Sequence, residues 1–343
     1  MGESGITRMA VLGAGVMGSE IAWVGAAAGL RVVLLDSDPA ALERGAGHVA
    51  GIAARRVAKG RMDAAAADAV VARVATATDD AALADCGIAV EAVPEVMAIK
   101  REVMARLDAA LPPGALIGSN TSGLSITEIA AATGRPDRVL GLHFFNPASV
   151  MALIEVVRGE TTSDATAAAG MALARDLGKV PVAVRECPGF LVNRILVRAM
   201  AEAYRSAGAS AAGRASVDRA VVDGGPAPMG PFALGDLIGL DTMAHIRRDL
   251  EAAYGDRFAD GGAVDAQVAA GRLGAKSGAG FYDGSPEGGE ATLAGAAAAE
   301  AYYAGALDEA RRCVDEGVAT APDVEVAMRN GCGWSAGPPG LAP

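Results

Sequence analysis

His143 and Glu155 sit inside two oily runs, GLHFF (141–145) and MALIEVV (151–157). A carboxylate in the second run is costly to bury unless it meets a partner. The two residues are equidistant from Ser149. If the runs pair antiparallel about a turn at Pro147–Val150, His143 lies opposite Glu155, and a charge-assisted hydrogen bond offsets the cost. An acid on one ring nitrogen fixes the tautomer and raises the basicity of the other, as a general base near neutral pH requires. Of the three histidines, His48 falls in a basic helix and His245 in a late helical region, whereas His143 ends a predicted sheet strand. The plainer alternative is a satisfied core histidine and an edge-strand surface acid.

What such a base would serve follows from residues 8–38, RMAVLGAGVMGSEIAWVGAAAGLRVVLLDSD. Gly13, Gly15 and Gly18 form a G-x-G-x-x-G turn between a predicted strand and helix, and Asp36 closes the next strand 23 residues after Gly13. That combination predicts dinucleotide binding. The glycines admit the pyrophosphate to the backbone, the helix N-terminus favours its charge, and Asp36 can bind the adenosine ribose. An acid there repels a 2′-phosphate, which favours NAD over NADP. A nicotinamide takes hydride from a carbinol carbon when a base removes the hydroxyl proton, so His143 and NAD belong to one reaction.

Several elements must hold these residues. Strands are expected at 72–78, 87–93, 115–120 and 138–145, with one long helical region over 39–70 and a helix over 96–111. Ser125 and Glu128 have the spacing of a capping box. Strand–helix alternation predicts an α/β fold, a Rossmann-type doubly wound and mostly parallel sheet with its ligand at the carboxyl ends of the strands. Those ends are Gly13, Asp36, residues 93–95, residues 119–122 and residues 143–147. After GKVPVAV (178–184) the pattern turns helical, which places an NAD-binding domain at 1–186 and a helical substrate or dimerisation domain at 187–284. A linker, SPEGG (285–289), then leads to 290–343. There VEVAMRNGCGWSAGP (324–338) echoes VDRAVVDGGPAPMGP (217–231) at a constant offset of 107, a truncated second copy of the helical domain.

With 343 residues, 52% of them hydrophobic, the chain can bury more than one core. No apolar run reaches the ~18 residues of a membrane span, and no basic leader opens the sequence. The four cysteines have neither metal-ligand spacing nor a disulfide framework, in keeping with a cytoplasmic protein. A net charge of −11 argues against nucleic acid or an anionic membrane as partner. Arginines number 26 and lysines four, namely Lys59, Lys100, Lys179 and Lys276. Arg55, Arg56, Lys59 and Arg61 cluster locally, either as a solvated helix face or as a dock for a phosphate-bearing substrate.

SNTSGLSITEIA (119–130), RVLGLHFFNPASVMALIEVVRGE (138–160), GKVPVAVRECPGFLVNRIL (178–196), PMGPFALGDLIGLDTM (228–243) and GRLGAKSGAGFY (271–282) resemble successive signatures of the L-3-hydroxyacyl-CoA dehydrogenase family. The phrasing of 154–166 and 186–196 is most similar to the dehydrogenase part of bifunctional fatty-acid-oxidation enzymes, without their hydratase half. The resemblance implies NAD-dependent oxidation of (S)-3-hydroxyacyl-CoA to 3-oxoacyl-CoA in fatty-acid β-oxidation. It implies His143 as base and Glu155 as its orienting partner, with Ser122 and Asn193 on the substrate's reacting oxygen. Gly13, Gly15, Met17, Gly18 and Asp36 would hold the adenosine and pyrophosphate. Val93, Pro94, Glu95, Lys100, Ser122, Asn146 and Lys276 would line the nicotinamide half or the cofactor–substrate boundary, where Lys100 also meets substrate. Lys59 would meet the acyl-CoA phosphates, and Ile52 replaces a serine that touches CoA. Two other functions stay open: a dehydrogenase for hydroxyacyl groups on acyl carrier protein in secondary metabolism, and a non-catalytic NAD-binding structural protein. The helical domain is expected either to form a homodimer or to be capped by the partial repeat.

Overall fold

In a computed structural model that describes residues 2–206, 211–284 and 290–342, the apolar runs become strands, the inner ones buried on both faces and the two outermost, at either end of the sheet, partly exposed. They are β1 (Arg8–Leu12), β2 (Arg31–Leu35), β3 (Val74–Ala77), β4 (Ile88–Glu91), β5 (Leu116–Ser119), β6 (Val139–Phe144), β7 (Leu153–Arg158) and β8 (Val180–Arg185). They form one sheet in the order β3-β2-β1-β4-β5-β6-β7-β8, parallel throughout except for the antiparallel pair β6–β7. The order reverses between β1 and β4, which opens a crevice beyond their carboxyl ends. Gly13 lines it: its φ is +97°, and a Cβ there would lie 2.7 Å from the Ala92 carbonyl oxygen.

Helices α1 (Val16–Ala27), α2 (Pro39–Ala58), α3 (Ala64–Val71), α4 (Met97–Ala110), α5 (Ile126–Ala130) and α6 (Asp164–Asp176) flank the sheet. The single helical region expected over 39–70 is two helices. Gly60 adopts φ +64° after α2, and Asp63 restarts the chain by accepting a hydrogen bond from Ala66 N. The capping box of α5 is half made. Ser125 accepts from Glu128 N at 3.0 Å, but the Glu128 carboxylate pairs instead with Arg101. Met9, Val11, Ile21, Trp23, Leu34, Val90, Leu142 and Ile154 anchor the core of this layer. Each stabilises the fold by roughly 1.5–3 kcal/mol through its burial.

The chain divides into two compact units, Met1–Glu186 and Cys187–Pro343. The second is helical: α7 (Val192–Ser206), α8 (Ala211–Gly224), α9 (Pro231–Ile238), α10 (Leu240–Tyr254), α11 (Ala263–Ala269), α12 (Leu293–Asp315) and α13 (Ala321–Cys332). The turn into α7 runs through Gly189 at φ +75° and Phe190 at φ +52°. Helix α12 packs along α7 and α8, so residues 290–342 share one compact body with 187–284. The SPEGG linker lies outside the described residues. Among the described residues no helix is long and apolar enough to cross a membrane.

Candidate active site

The β6–β7 register sets His143 opposite Glu155, with Gly141 opposite Val157. Only glycine fits at 141, because a Cβ there would lie 2.7 Å from Val157 Cβ. Glu155 is fully buried and His143 is 4% exposed; the imidazole Nδ1 lies 2.6 Å from Glu155 Oε2. A carboxylate can only accept, so a neutral ring carries its proton on Nδ1 and a lone pair on Nε2. The Phe145 ring leans on the imidazole at 4.5 Å. Asn120 Oδ1 accepts from Phe144 N at 2.9 Å and ties the end of β6 to the end of β5.

A second buried cluster joins the ends of β4 and β5. Lys100 Nζ donates to both oxygens of Glu91 at 2.9 Å and to the Val93 carbonyl at 3.4 Å, and it pairs with Glu95 Oε2 at 3.1 Å. Glu91 also accepts from Val93 N and the Ser119 hydroxyl. Glu95 Oε1 in turn accepts from Thr121 Oγ1 at 2.5 Å and Ser122 N at 2.9 Å. Residues 93–95 and 119–122 are thereby knitted together at the carboxyl ends of two central strands. Lys100 is 1% exposed and stands behind the segment it was expected to line. Pro94 and Asn146 are exposed; Val93, Glu95 and Ser122 are half-buried. Sequence reasoning missed Glu91, although a carboxylate inside the apolar run GIAVEAV gives the same signal that marked Glu155.

The glycine turn fits a dinucleotide. A Cβ on Gly18 would lie 1.7 Å from the Gly13 carbonyl oxygen, so that glycine serves the turn itself. A Cβ on Gly15 would meet no protein atom within 4 Å, so glycine there leaves open space above the backbone. Helix α1 starts at that point with no side-chain cap and no acid in its first turn, which includes Met17 and Gly18. Such a terminus suits a pyrophosphate. Asp36 accepts from Ala14 N at 2.8 Å and Asp38 N at 3.0 Å, and so braces the turn from the second strand.

The expected cationic cluster is partly structural. Arg56 donates to the Ser149 carbonyl at 2.6 Å and lies over Trp23, whereas Arg55, Lys59 and Arg61 are exposed and Ile52 is buried. Glu20 accepts from Ser149 N at 2.7 Å and pairs with His48 Nε2 at 2.9 Å. Lys179 donates to the Ala148 and Met151 carbonyls, and its burial pushes the ammonium down to about 8. Three side chains, Arg56, Glu20 and Lys179, thus grip the turn that joins the strands of His143 and Glu155, and His48 holds Glu20 in place; sequence reading missed this role for all of them. The first unit brings together His143, Glu155, Asn120, Glu95 and the turn 119–122. Asn193 and Lys276 belong to the second: Asn193 is half-buried in the first turn of α7, and Lys276 pairs with Asp241.

Comparison with known proteins agrees with this geometry. The family model for the NAD-binding domain of 3-hydroxyacyl-CoA dehydrogenase matches residues 8–187, and that for the C-terminal domain matches residues 189–284. The probable 3-hydroxybutyryl-CoA dehydrogenase of Bacillus subtilis (strain 168) is 42% identical over 279 residues, spanning 81% of this chain and 97% of its own. The crystal structure of (S)-3-hydroxybutyryl-CoA dehydrogenase PaaH1 from Ralstonia eutropha superposes with a TM-score of 0.78 at 40% identity, covering 82% of this chain and 99% of that one. That of 3-hydroxybutyryl-CoA dehydrogenase from Escherichia coli K12 reaches 0.88 at 29% identity, covering 97% of this chain and 90% of that one, which carries the match past residue 284. The similarity thus extends along nearly the whole length of stand-alone dehydrogenases. The chain belongs to the 3-hydroxyacyl-CoA dehydrogenase family, and it is an NAD-dependent oxidoreductase that oxidises 3-hydroxyacyl-CoA.

Proposed function

We propose that His143 is the general base of this oxidation and that the substrate is a short (S)-3-hydroxyacyl-CoA such as 3-hydroxybutyryl-CoA. Nε2 takes the 3-hydroxyl proton, and the Glu155 anion stabilises the imidazolium that results. Ser122, whose backbone N–H is held by Glu95, and Asn193 hydrogen-bond the reacting oxygen. The hydride acceptor for C3 would be supplied by NAD when it is bound. Gly13, Gly15, Met17, Gly18 and Asp36 would hold its adenosine and pyrophosphate, with Val93, Pro94, Glu95, Asn146 and Lys276 toward the nicotinamide. Lys100 supports that region by fixing Glu95 and the Val93 carbonyl. The short acyl group rests on the relatives' names, and the base on one observation, the 2.6 Å bond between Nδ1 and Glu155 inside the core.

His143→Gln tests the assignment. It should leave NAD affinity unchanged and lower kcat for 3-hydroxybutyryl-CoA about 10²- to 10⁴-fold. A kcat within twofold of the parent in a steady-state assay would remove His143 as base. The exposed Arg55, Lys59 and Arg61 also suit the acidic surface of a carrier protein. Comparing kcat/KM for one acyl group on CoA and on carrier protein separates the two carriers.

A further inference from the structure

Arg194 follows Asn193 in the first turn of α7, and its side chain is fully buried. Nε donates to Glu309 Oε1 at 2.6 Å, while Nη1 and Nη2 donate to the two oxygens of Glu316 at 2.7 and 2.9 Å. The guanidinium also stacks on the Tyr254 ring at 4.2 Å. Glu309, itself fully buried, accepts from Arg257 Nε at 2.9 Å as well. The Tyr254 hydroxyl donates to the Pro188 carbonyl, so the cluster closes on the turn that launches α7. Glu309 stands on α12 and Glu316 caps its C-terminal end, both beyond residue 284, where the C-terminal family match ends.

The 107-residue offset gives this tail a particular meaning. A Cβ on Gly230 would collide with Asp218 Cα at 2.3 Å, and a Cβ on Gly337 would press on Glu325 Cα at 3.2 Å. Both pairs are 107 apart, position for position. At the same offset Asn193 falls on Glu300 and Arg194 on Ala301, whereas Glu202 falls on Glu309. The tail therefore lacks the Asn-Arg pair but keeps the acid. On α7 Glu202 pairs with Arg198 and Arg205 instead, and Glu309 of the tail is the acid that meets Arg194.

We propose that Glu309 and Glu316 are positioning residues for the dehydrogenase reaction: by locking Arg194 they fix the first turn of α7 and aim the Asn193 amide at the substrate's reacting oxygen. The tail is then part of the catalytic machinery. This rests on the reading of Asn193 given above. A guanidinium cannot shed its charge, so removing either acid leaves a buried cation with one counter-charge fewer and one N–H edge unpaired, and the turn shifts as that edge seeks another acceptor.

The test uses the full chain and four variants: Asn193→Ala, Glu309→Gln, Glu309→Asp and the double variant Asn193→Ala/Glu309→Gln. Glu309→Gln should lower kcat/KM for 3-hydroxybutyryl-CoA about tenfold or more while NAD affinity stays within about twofold, and Glu309→Asp should restore part of the loss. The double variant should be no slower than Asn193→Ala, because both substitutions act through one amide. Losses that multiply in the double variant, or a Glu309→Gln enzyme that melts lower but keeps its kinetics, would reduce the cluster to a structural brace and overturn the proposal. Asn193→Ala with unaltered kinetics would instead overturn the Asn193 reading, and the proposal with it. If Glu309→Gln fails to fold, Glu316→Gln, at the half-exposed acid, is read by the same criteria.

Discussion

Lys100 and Glu91 meet at 2.9 Å with the lysine 1% exposed and the glutamate fully buried, and both hydrogen-bond the backbone of Val93. Desolvating both charges is costly, and the bonds from Val93 N and Ser119 to Glu91, with Glu95 beside Lys100, are what make the pair tolerable. The pair is an anchor for residues 93–95.

Breaking it from one side should therefore be severe. Lys100→Met leaves Glu91 charged and buried, and should destabilise the protein by about 3–5 kcal/mol. Removing both charges with Glu91→Leu/Lys100→Met should recover part of that loss. Urea denaturation of the single and double variants measures it; equal midpoints for Lys100→Met and the parent would contradict the anchoring role.

The Glu155 carboxylate should matter through its charge and not only its shape. Glu155→Gln keeps the size but can no longer stabilise an imidazolium, so kcat should fall by about 10²-fold or more with little change in NAD affinity. Steady-state kinetics beside NADH fluorescence titration separate the two effects. A parent-like kcat would show that His143 works without an acid behind it.

Asp36 braces the glycine turn, and under the proposed function it also has the ribose to bind. Asp36→Ala should raise the KM for NAD by about tenfold to a hundredfold, the worth of a charged hydrogen bond, while hardly moving kcat at saturating NAD. It should also weaken discrimination against NADP, since the acid that repels a 2′-phosphate is gone. An unchanged NAD/NADP ratio of kcat/KM would show that selectivity resides elsewhere.

Glu20 ties the cofactor-side helix to the turn between β6 and β7, and its titration should be visible in stability. Burial pushes its carboxyl up, but hydrogen bonds from Ser149 and His48 outweigh this and hold it below the ordinary value of 4.5. A carboxyl depressed in the folded state binds protons more weakly than in the unfolded state. Its stabilisation is therefore complete above about pH 5 and is lost as pH falls through the depressed value. Glu20→Gln should lower Tm at pH 7, and the difference from the parent should shrink as pH falls below 4.5 and through the depressed value. Melting curves across pH 3–7 test this, and parallel curves for the two proteins would refute it.

Much of the site was legible in the chain because it obeys local rules. The symmetric spacing about Ser149 sufficed to place His143 against Glu155, because an antiparallel hairpin pairs residues by counting from its turn. Glycine spacing and a closing acid marked the nucleotide turn, and apolar runs between them predicted a parallel sheet. Other parts were read less well. Helix 39–70 broke at Gly60 and Asp63, whose turn-forming and capping roles compete with helix propensity. Lys100 was expected at the boundary with the substrate; the apolar run around Glu91 signals a buried acid, but that Lys100 of α4 is its partner follows from packing of two elements.

The sequence by itself determined the strand–turn–helix that suits NAD, the acid–base register and the family, since each depends on residues near in sequence or on motifs in a set order. Tertiary structure alone decided that Arg56, Glu20 and Lys179 grip one turn, that Lys100 is enclosed, and that acids at 309 and 316 close on an arginine at 194. Those pairings span gaps of up to 129 residues. Which distant charges meet is settled only when the core packs, because a buried ion is tolerable only beside whichever counter-charge the fold brings to it.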